Sequence, residues 1–154
     1  LMEVLEPSAS RVIPSCPVAR QCGGCQLQAM SYEEQLKFKE RKVKNHLLRI
    51  GKFREDEIHM LPIMGMEEPW RYRNKAQFPV GGSAQELKIG FFAPRSHRIV
   101  DCRACRLQPP EFEGALRAFA RWIGENQVPI YSEETGEGLF AGISICARHR
   151  RRVR

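Results

Sequence analysis

The chain has 154 residues, which is enough for one ordinary domain with a sizeable core. Hydrophobic residues make up 42% of it and charged residues 28%, a composition typical of globular rather than disordered proteins. No apolar run approaches the roughly 18 residues that a membrane span needs, and LMEVLEPSAS lacks the features of a secretory signal, so we expect a cytoplasmic protein without membrane contact. Thiols stay reduced in the cytoplasm, which favours metal binding or catalysis over disulfides for the six cysteines.

The formal net charge of +7 is concentrated at one end of the chain. Residues 148–154 contain five arginines, and without them the chain has 20 basic and 18 acidic side chains, a net charge of +2. Overall basicity is therefore weak evidence for a nucleic-acid-binding face.

Residues 1–15 are rich in turn-forming proline and serine and show little periodicity, so we expect a loosely structured leading segment. The stretch CPVARQCGGCQLQ, from Cys16 to Gln28, follows and places three cysteines around a Gly-Gly pair. Its glycine and glutamine content favours a loop.

The first helix is predicted to begin after Ser31. Ser31 can cap the helix N-terminus, Glu34 completes the sequence pattern of a capping box, and Gly51 marks the end. Apolar residues recur between them at helical spacing: Leu36, Val43, Leu47 and Ile50. The opposite face carries basic residues that suit either solvent or phosphate: Lys37, Lys39, Arg41, Lys42 and Lys44.

Strand patterns follow from Trp70 onward. YRNKAQFPV alternates apolar and polar residues, as a half-exposed strand does, and Gly81-Gly82 marks a turn. LKIGFFAP and HRIVDC predict two further short strands joined by a polar bend at Pro94–Ser96. A second helix is predicted from Glu111 to Asn126, and TGEGLF predicts a turn into another strand. These elements predict a small antiparallel sheet with two helices.

Two later cysteines, in the CRAC motif, could complete a metal site. Cys22 and Cys25 with Cys102 and Cys105 would give a four-thiolate zinc site. The intervening loop, however, is far longer than the roughly 15–20 residues usual in such sites, and Cys16 would have no role.

An iron–sulfur cluster is the interpretation that spacing favours. Its ligands commonly form a compact cysteine triple with one distant cysteine, and C-x5-C-x2-C fits that arrangement. Gly23 and Gly24 would let the backbone approach the sulfurs and direct N–H groups at them. Zinc and purely structural thiols remain alternatives from spacing alone.

Five motifs, in order, resemble one family. They are CPVARQCGGCQLQ, SYEEQLKFK, WRYRNKAQFPV, IGFFAPRSHRIVDCRACRLQ and EETGEGL, and they span about residues 14–139. Together they resemble the RNA uracil-5-methyltransferases that act on 23S ribosomal RNA and carry a [4Fe–4S] cluster. The resemblance implies that the cluster ligands are Cys16, Cys22, Cys25 and Cys105. Cys102 falls where the family requires no ligand but is close enough to substitute.

The resemblance also implies contact with 23S rRNA. The implied contact residues are Arg73, Asn74, Lys75, His97 and Arg98. Arginine and lysine would neutralise phosphates, while asparagine and histidine would reach bases or sugars in an unpaired loop. A charged solvent face is the alternative for each of them. We expect the protein to be a monomer.

The chemistry of the family is expected outside this chain. Family members usually have an N-terminal β-barrel RNA-binding domain and a C-terminal domain that binds S-adenosylmethionine. The latter holds a cysteine that attacks C6 of uracil and a carboxylate that removes the C5 proton. This chain shows no glycine-rich loop after a strand and no helix–strand alternation. Cys146 lacks the sequence context of that nucleophile and is interpreted as a buried or incidental thiol. We predict no catalytic and no cofactor-binding residue here, and no activity for the chain alone.

The predicted fold class is α+β: a small antiparallel β-sheet with two helices and an iron–sulfur cluster loop, as a fragment of a larger enzyme. We expect a leading segment at 1–15, a cluster-containing central region at 16–139 and a divergent basic tail at 140–154, produced by truncation or a frame-shift. The predicted function is the [4Fe–4S]-binding, RNA-contacting part of an S-adenosylmethionine-dependent enzyme that methylates C5 of a uridine in 23S rRNA. A stand-alone iron–sulfur or zinc RNA-binding module without catalysis is the alternative.

Overall fold

The computed structural model describes residues 4–147. The described chain forms two compact units, one of residues 4–15 and 26–69 and the other of residues 16–25 and 70–147. Within the described residues, no helix combines the length and the apolar character required to cross a membrane.

Helix α1 (Tyr32–Arg49) is the main element of the first unit. Ser31 caps it as expected, because its side chain accepts a hydrogen bond from the Glu34 N–H at 3.4 Å. The predicted capping box is only half formed. The Ser31 N–H donates to the Ser10 carbonyl at 2.8 Å, and the Glu34 carboxylate pairs with Arg41 at 2.7 Å instead of reaching back.

The apolar face predicted for α1 is poorly covered. None of its residues is fully buried: Leu36 and Leu47 are half-buried, while Val43 is 52% exposed and Ile50 is 74% exposed. A short 3₁₀ turn at Glu55–Glu57 is the other regular element of this unit within the described residues.

The second unit contains a four-stranded antiparallel sheet in the order β3-β2-β1-β4. Its strands are β1 (Lys75–Gly82), β2 (Leu87–Phe92), β3 (Ile99–Asp101) and β4 (Gly142–Cys146). In register, Val80 of β1 lies opposite Ile89 of β2, and Phe78 lies opposite Ile143 of β4. Helix α2 (Glu111–Glu125) lies between β3 and β4 in the chain.

The core of the second unit follows from the alternation of β1. Ala76, Phe78 and Val80 are buried, whereas Lys75 and Gln77 are exposed. Side chains of α2 and β2 complete the same apolar cluster: Phe112, Leu116, Ile123 and Ile89. The predicted α+β class, with two helices and a small antiparallel sheet, is confirmed.

Strand bounds differ from the prediction at both ends of β1. The strand begins at Lys75, not Tyr72, because the backbone of Arg71 and Arg73 pairs with the loop after β3. Gly81 and Gly82 end the strand, and the turn itself follows them. Within the predicted basic tail, Gly142–Cys146 forms an edge strand on β1, and residues 148–154 lie outside the described residues.

Candidate metal centre and nucleic-acid interface

Two loops of the second unit carry five of the cysteines. The loop 16–25 holds three, and the loop 102–108 that follows β3 holds two. The turn that connects β2 to β3 contacts the first of these loops. All six cysteines of the chain are free thiols, and the sixth, Cys146, is exposed at the end of β4.

The loop 16–25 is shaped by tight turns. The N–H groups of Gln21 and Cys22 both donate to the Val18 carbonyl, at 2.9 and 2.8 Å. The N–H of Gly24 then points at the sulfur of Cys22, 3.3 Å away. An N–H directed at a sulfur stabilises the thiolate form, as the glycine pair led us to expect.

Gly23 fixes this loop against the β2–β3 turn. Its N–H donates to the Phe92 carbonyl at 3.0 Å, and a Cβ at this position would lie 2.8 Å from the same oxygen. Real Cβ atoms do not come that close to a backbone oxygen, so a side chain here would push the loop away from the turn. The glycine is needed for close backbone approach.

Arg71 holds the second cysteine loop. Its guanidinium donates to the carbonyl of Gln108 at 2.9 Å and to that of Cys105 at 3.3 Å. Its own N–H donates to the Arg106 carbonyl at 3.0 Å, and its backbone adopts a left-handed φ of 56°. Such a conformation is unfavourable for arginine and persists where surrounding contacts over-determine it.

The thiols differ in the pKa values that their surroundings produce. Burial is the main cause that raises the pKa of Cys22. The hydrogen bond from the Gly24 N–H lowers this pKa, and the nearby cysteines Cys25, Cys105 and Cys16 raise it. The Cys102 thiol donates a hydrogen bond to Cys105, which is the main cause that lowers the pKa of Cys105 to about 6. The same hydrogen bond, with burial, raises the pKa of Cys102 far above its usual range.

These shifts divide the later pair into a thiolate and a thiol. Cys105 carries the negative charge, which the positive charges of Arg73 and Arg71 also favour, while Cys102 keeps its proton. Thiolates, not thiols, bind metals. Arg71 and Arg73 add positive charge beside Cys105, and the role of Cys105 as a ligand stays a prediction.

The cysteines suit a thiolate-bound group in chemistry but do not surround one point. Soft thiolates select zinc or iron–sulfur clusters. Among residues 4–147, however, no group of three or more histidine, cysteine, aspartate or glutamate side chains is placed to hold a single metal ion. The thiols are thus near enough to alter one another's protonation without converging on one ion.

The five residues predicted to contact RNA are all exposed and fall into two groups. Arg73, Asn74 and Lys75 lie at the start of β1, where the N–H of Arg73 donates to the Leu107 carbonyl at 2.9 Å. The other group, His97 and Arg98, lies in the β2–β3 turn. His97 pairs with Glu133 and stacks against Phe92 with 5.4 Å between ring centroids.

Two features of the site could not be found in the sequence. Arg71 lies within the WRYRNKAQFPV motif, but nothing local in the sequence marks its contacts, since its partners lie in a loop 34 and 37 residues away. Gln108 is 2% exposed and its Nε2 has no hydrogen-bond partner within the described structure, although nothing in its context marks it as buried. Cys146 was interpreted as buried or incidental, and it is exposed.

Comparison with known proteins finds relatives that are all named as RNA methyltransferases. No protein-family model matches the chain. A protein of Clostridium tetani named as an RNA methyltransferase is 44% identical over 145 residues, which is 94% of this chain and 31% of that protein. Relatives with the same designation occur in Halalkalibacterium halodurans, 44% identical over 91% of this chain, and in Staphylococcus epidermidis, 41% identical over 94%.

A solved structure shares the fold. The tRNA (uracil-54, C5)-methyltransferase of Pyrococcus abyssi, in complex with S-adenosyl-L-homocysteine, superposes with a TM-score of 0.64 and 24% sequence identity. The match covers 92% of this chain and 30% of that one. This chain also spans about a third of the length of its curated relatives, 30 to 32%. The resemblance to RNA methyltransferases is confirmed for a region of that size.

Proposed function

We propose that this chain, which is related in sequence to about a third of an RNA methyltransferase, is the cluster-binding and RNA-contacting region of an enzyme that methylates C5 of a uridine in 23S rRNA with S-adenosylmethionine. It works as a monomer, in the cytoplasm, and holds a [4Fe–4S] cluster on Cys16, Cys22, Cys25 and Cys105. The central region 16–139 carries this role.

The observation that carries the proposal is the state of the cysteines around Cys105. The hydrogen bond from Cys102 lowers the pKa of Cys105 to about 6, and the charge of Cys105 raises the pKa of Cys22 in the other loop, so both loops place thiols beside one another. A multi-iron cluster takes one thiolate at each iron, so its ligands stand farther apart than those of one zinc ion. Thiols that are neighbours without surrounding a single ion are compatible with such a cluster.

The surrounding residues prepare the loops for a negatively charged group. Arg71 fixes the carbonyl of Cys105 and Gly23 fixes the first loop on the β2–β3 turn, so both ligand segments are attached to the sheet. Arg71 and Arg73 supply positive charge beside the thiolate. When bound, the cluster would cross-link these loops, a structural role that requires no electron transfer.

The methyl transfer itself is assigned to the part of the relatives that this chain does not match. Here Arg73, Asn74 and Lys75, with His97 and Arg98, contact the RNA around an unpaired uridine, because exposed cations and amides at the ends of short strands suit phosphates and unstacked bases. The chain alone is expected to show no methyl transfer to 23S rRNA or to tRNA.

Anaerobic reconstitution tests the cluster. With iron and sulfide, the wild-type chain should turn brown and retain about four iron and four sulfide per chain, as a [4Fe–4S] group requires. Cys105→Ser should lose the colour. Cys102→Ser is the matched control and should keep it, because serine preserves a hydrogen-bond donor to Cys105.

The opposite behaviour of the two variants would reassign the fourth ligand to Cys102. A colourless wild-type protein that retains zinc would contradict the cluster and favour the stand-alone zinc module. RNA binding by a protein that carries the cluster, followed by fluorescence anisotropy, tests the RNA role separately.

A further inference from the structure

One side of α1 carries a stripe of basic and aromatic side chains, none of which is buried. We call it the basic stripe and define it by six residues: Phe38, Arg41, Lys42, Asn45, His46 and Arg49. Successive members are alternately three positions and one position apart in the sequence, so they lie along one side of the helix. With Ile50 they line an open groove of about 450 Å³.

The other side of the helix is the one that packs. Leu36 and Leu47 are half-buried there, and a Cβ on Gly65 would lie 2.8 Å from a Leu36 methyl. The hydroxyl of Tyr32 accepts a hydrogen bond from the Met66 N–H at 2.8 Å on the same side. The basic stripe is therefore not required to hold the residues after the helix in place.

The charge of the basic stripe is of one sign. At about 100° per residue, Glu33 and Glu40 project to the far side of α1. Of the carboxylates in residues 4–147, Glu34 is the one that forms an ion pair with the stripe, with Arg41 at 2.7 Å. Within residues 4–147, Lys42 and Arg49 have no ion-pair partner, and both are exposed.

We propose that the basic stripe of α1 binds the phosphate backbone of an unpaired RNA strand, with Phe38 stacking on one of its bases. From Phe38 to Arg49 the stripe runs about 16 Å at 1.5 Å per residue, long enough to follow several nucleotides. A cationic groove with an aromatic platform is how proteins bind single strands without reading sequence. This inference rests on the proposed RNA substrate and adds a second contact surface to it.

A membrane surface would fit this helix less well. Helices that lie in a bilayer interface oppose a polar face to a broad apolar face that enters the lipid. In α1 the apolar side is narrow, and Leu36 and Leu47 on it are half-buried, so the helix offers no broad apolar face to lipid. Binding of RNA phosphates would instead use the exposed cations of the basic stripe, Lys42 and Arg49.

Fluorescence anisotropy with a labelled single-stranded RNA tests the charges. In Lys42→Gln/Arg49→Gln, affinity at 0.15 M salt should fall about tenfold, and the slope of log affinity against log salt should decrease by about 1.4, since each single-strand phosphate contact contributes about 0.7. Lys37→Gln/Arg121→Gln removes the same charge elsewhere and should change affinity less than threefold. Glutamine preserves helix formation, which circular dichroism would verify.

Phe38→Leu tests the stacking, with Phe53→Leu as the matched control. Loss of one stacked base should weaken binding by about fivefold or more, while the control should bind as wild type does. Equal affinities and equal salt slopes for the stripe and control double variants would overturn the inference. Failure of the proposed function would give a different result, because then even the wild-type chain would not bind RNA. The absorption of the cluster is expected to be the same in all these variants.

Discussion

Cys105 owes its charge to neighbours that come from separate parts of the second unit. The thiol of Cys102 donates to it, and Arg71 and Arg73, from the segment before β1, supply positive charge. A lowered thiol pKa makes the thiolate available at neutral pH without any bound metal. The chemistry of this residue is therefore already set in the metal-free protein.

The metal-free protein should show this directly in its reaction with iodoacetamide. The pH profile for alkylation of Cys105 should have its midpoint near 6, because the reagent reacts with the thiolate and the pKa of Cys105 is about 6. In Cys102→Ala the donor is lost, so the pKa rises and the midpoint moves toward alkaline pH. Peptide mass spectrometry resolves the two sites, since trypsin cleaves after Arg103.

Cys102→Ser provides the control for that experiment. A serine hydroxyl still donates to Cys105, so its midpoint should stay close to that of the wild type. Equal midpoints in the alanine, serine and wild-type proteins would show that the hydrogen bond is not what lowers the pKa of Cys105.

At the scale of residues, the sequence predicted which cysteines come together but not what holds them. Spacing and resemblance indicated Cys16, Cys22, Cys25 and Cys105, and the structure brings these thiols near one another, with their role as ligands still a prediction. The contacts of Arg71 depend on a left-handed backbone and on a distant loop, neither of which leaves a local pattern.

At the scale of elements, β2 and β3 are joined so closely that one position accepts only glycine. A Cβ on Gly90 would overlap the Val100 carbonyl oxygen and would lie 2.6 Å from the backbone nitrogen of Cys102. Because Cys102 follows β3 directly, this close pairing also positions the second cysteine loop.

Gly90→Ala should destabilise the protein by about 3 kcal/mol or more, because backbone atoms cannot move aside for the methyl group. Gly114→Ala is the matched control. Gly114 is exposed within α2 with no atom within 4 Å of an added Cβ, so alanine should stabilise by about 0.5–1 kcal/mol through helix propensity. Urea unfolding measures both. An unchanged stability of Gly90→Ala would show that the two strands can move apart without cost.

Elements with a strong period were predictable, and their ends were not. The alternation of Ala76, Phe78 and Val80 identified β1 and its buried face, and the period of α2 gave its bounds to within one residue. Tyr72, which the strand prediction included, is 51% exposed because the strand starts three residues later than predicted. The start of the strand is set by backbone hydrogen bonds to the loop after β3. Contacts between segments so distant in the chain produce no pattern in the local sequence.

At the scale of the whole molecule, burial is unevenly divided between the two units. Every fully buried apolar residue of the described chain lies in the second unit, most of them in the cluster around β1 and α2. The first unit has a longer helix but no fully buried residue in it. Since packing supplies most helix stability in proteins, the two units should differ in resistance to opening.

Hydrogen exchange followed by mass spectrometry should reveal this difference. Amides of α1 (Tyr32–Arg49) should exchange at least about tenfold faster than those of α2 (Glu111–Glu125), whose Phe112, Leu116 and Ile123 are buried. Equal protection of the two helices would mean that α1 is stabilised by contacts that its exposure does not reveal. Peptides from both helices in one digest provide an internal comparison.

The loop 16–25 and its contacts lie far apart in the order of synthesis. A ribosome releases this loop before residues 26–69, and Phe92 and Cys105, which lie against or near it in the folded chain, follow later. The β4 strand, which completes the sheet on β1, emerges last among the described elements. The nascent chain therefore passes through a stage in which three thiols have left the ribosome without their partners. Any group that bridges both cysteine loops can be inserted only after that stage has ended.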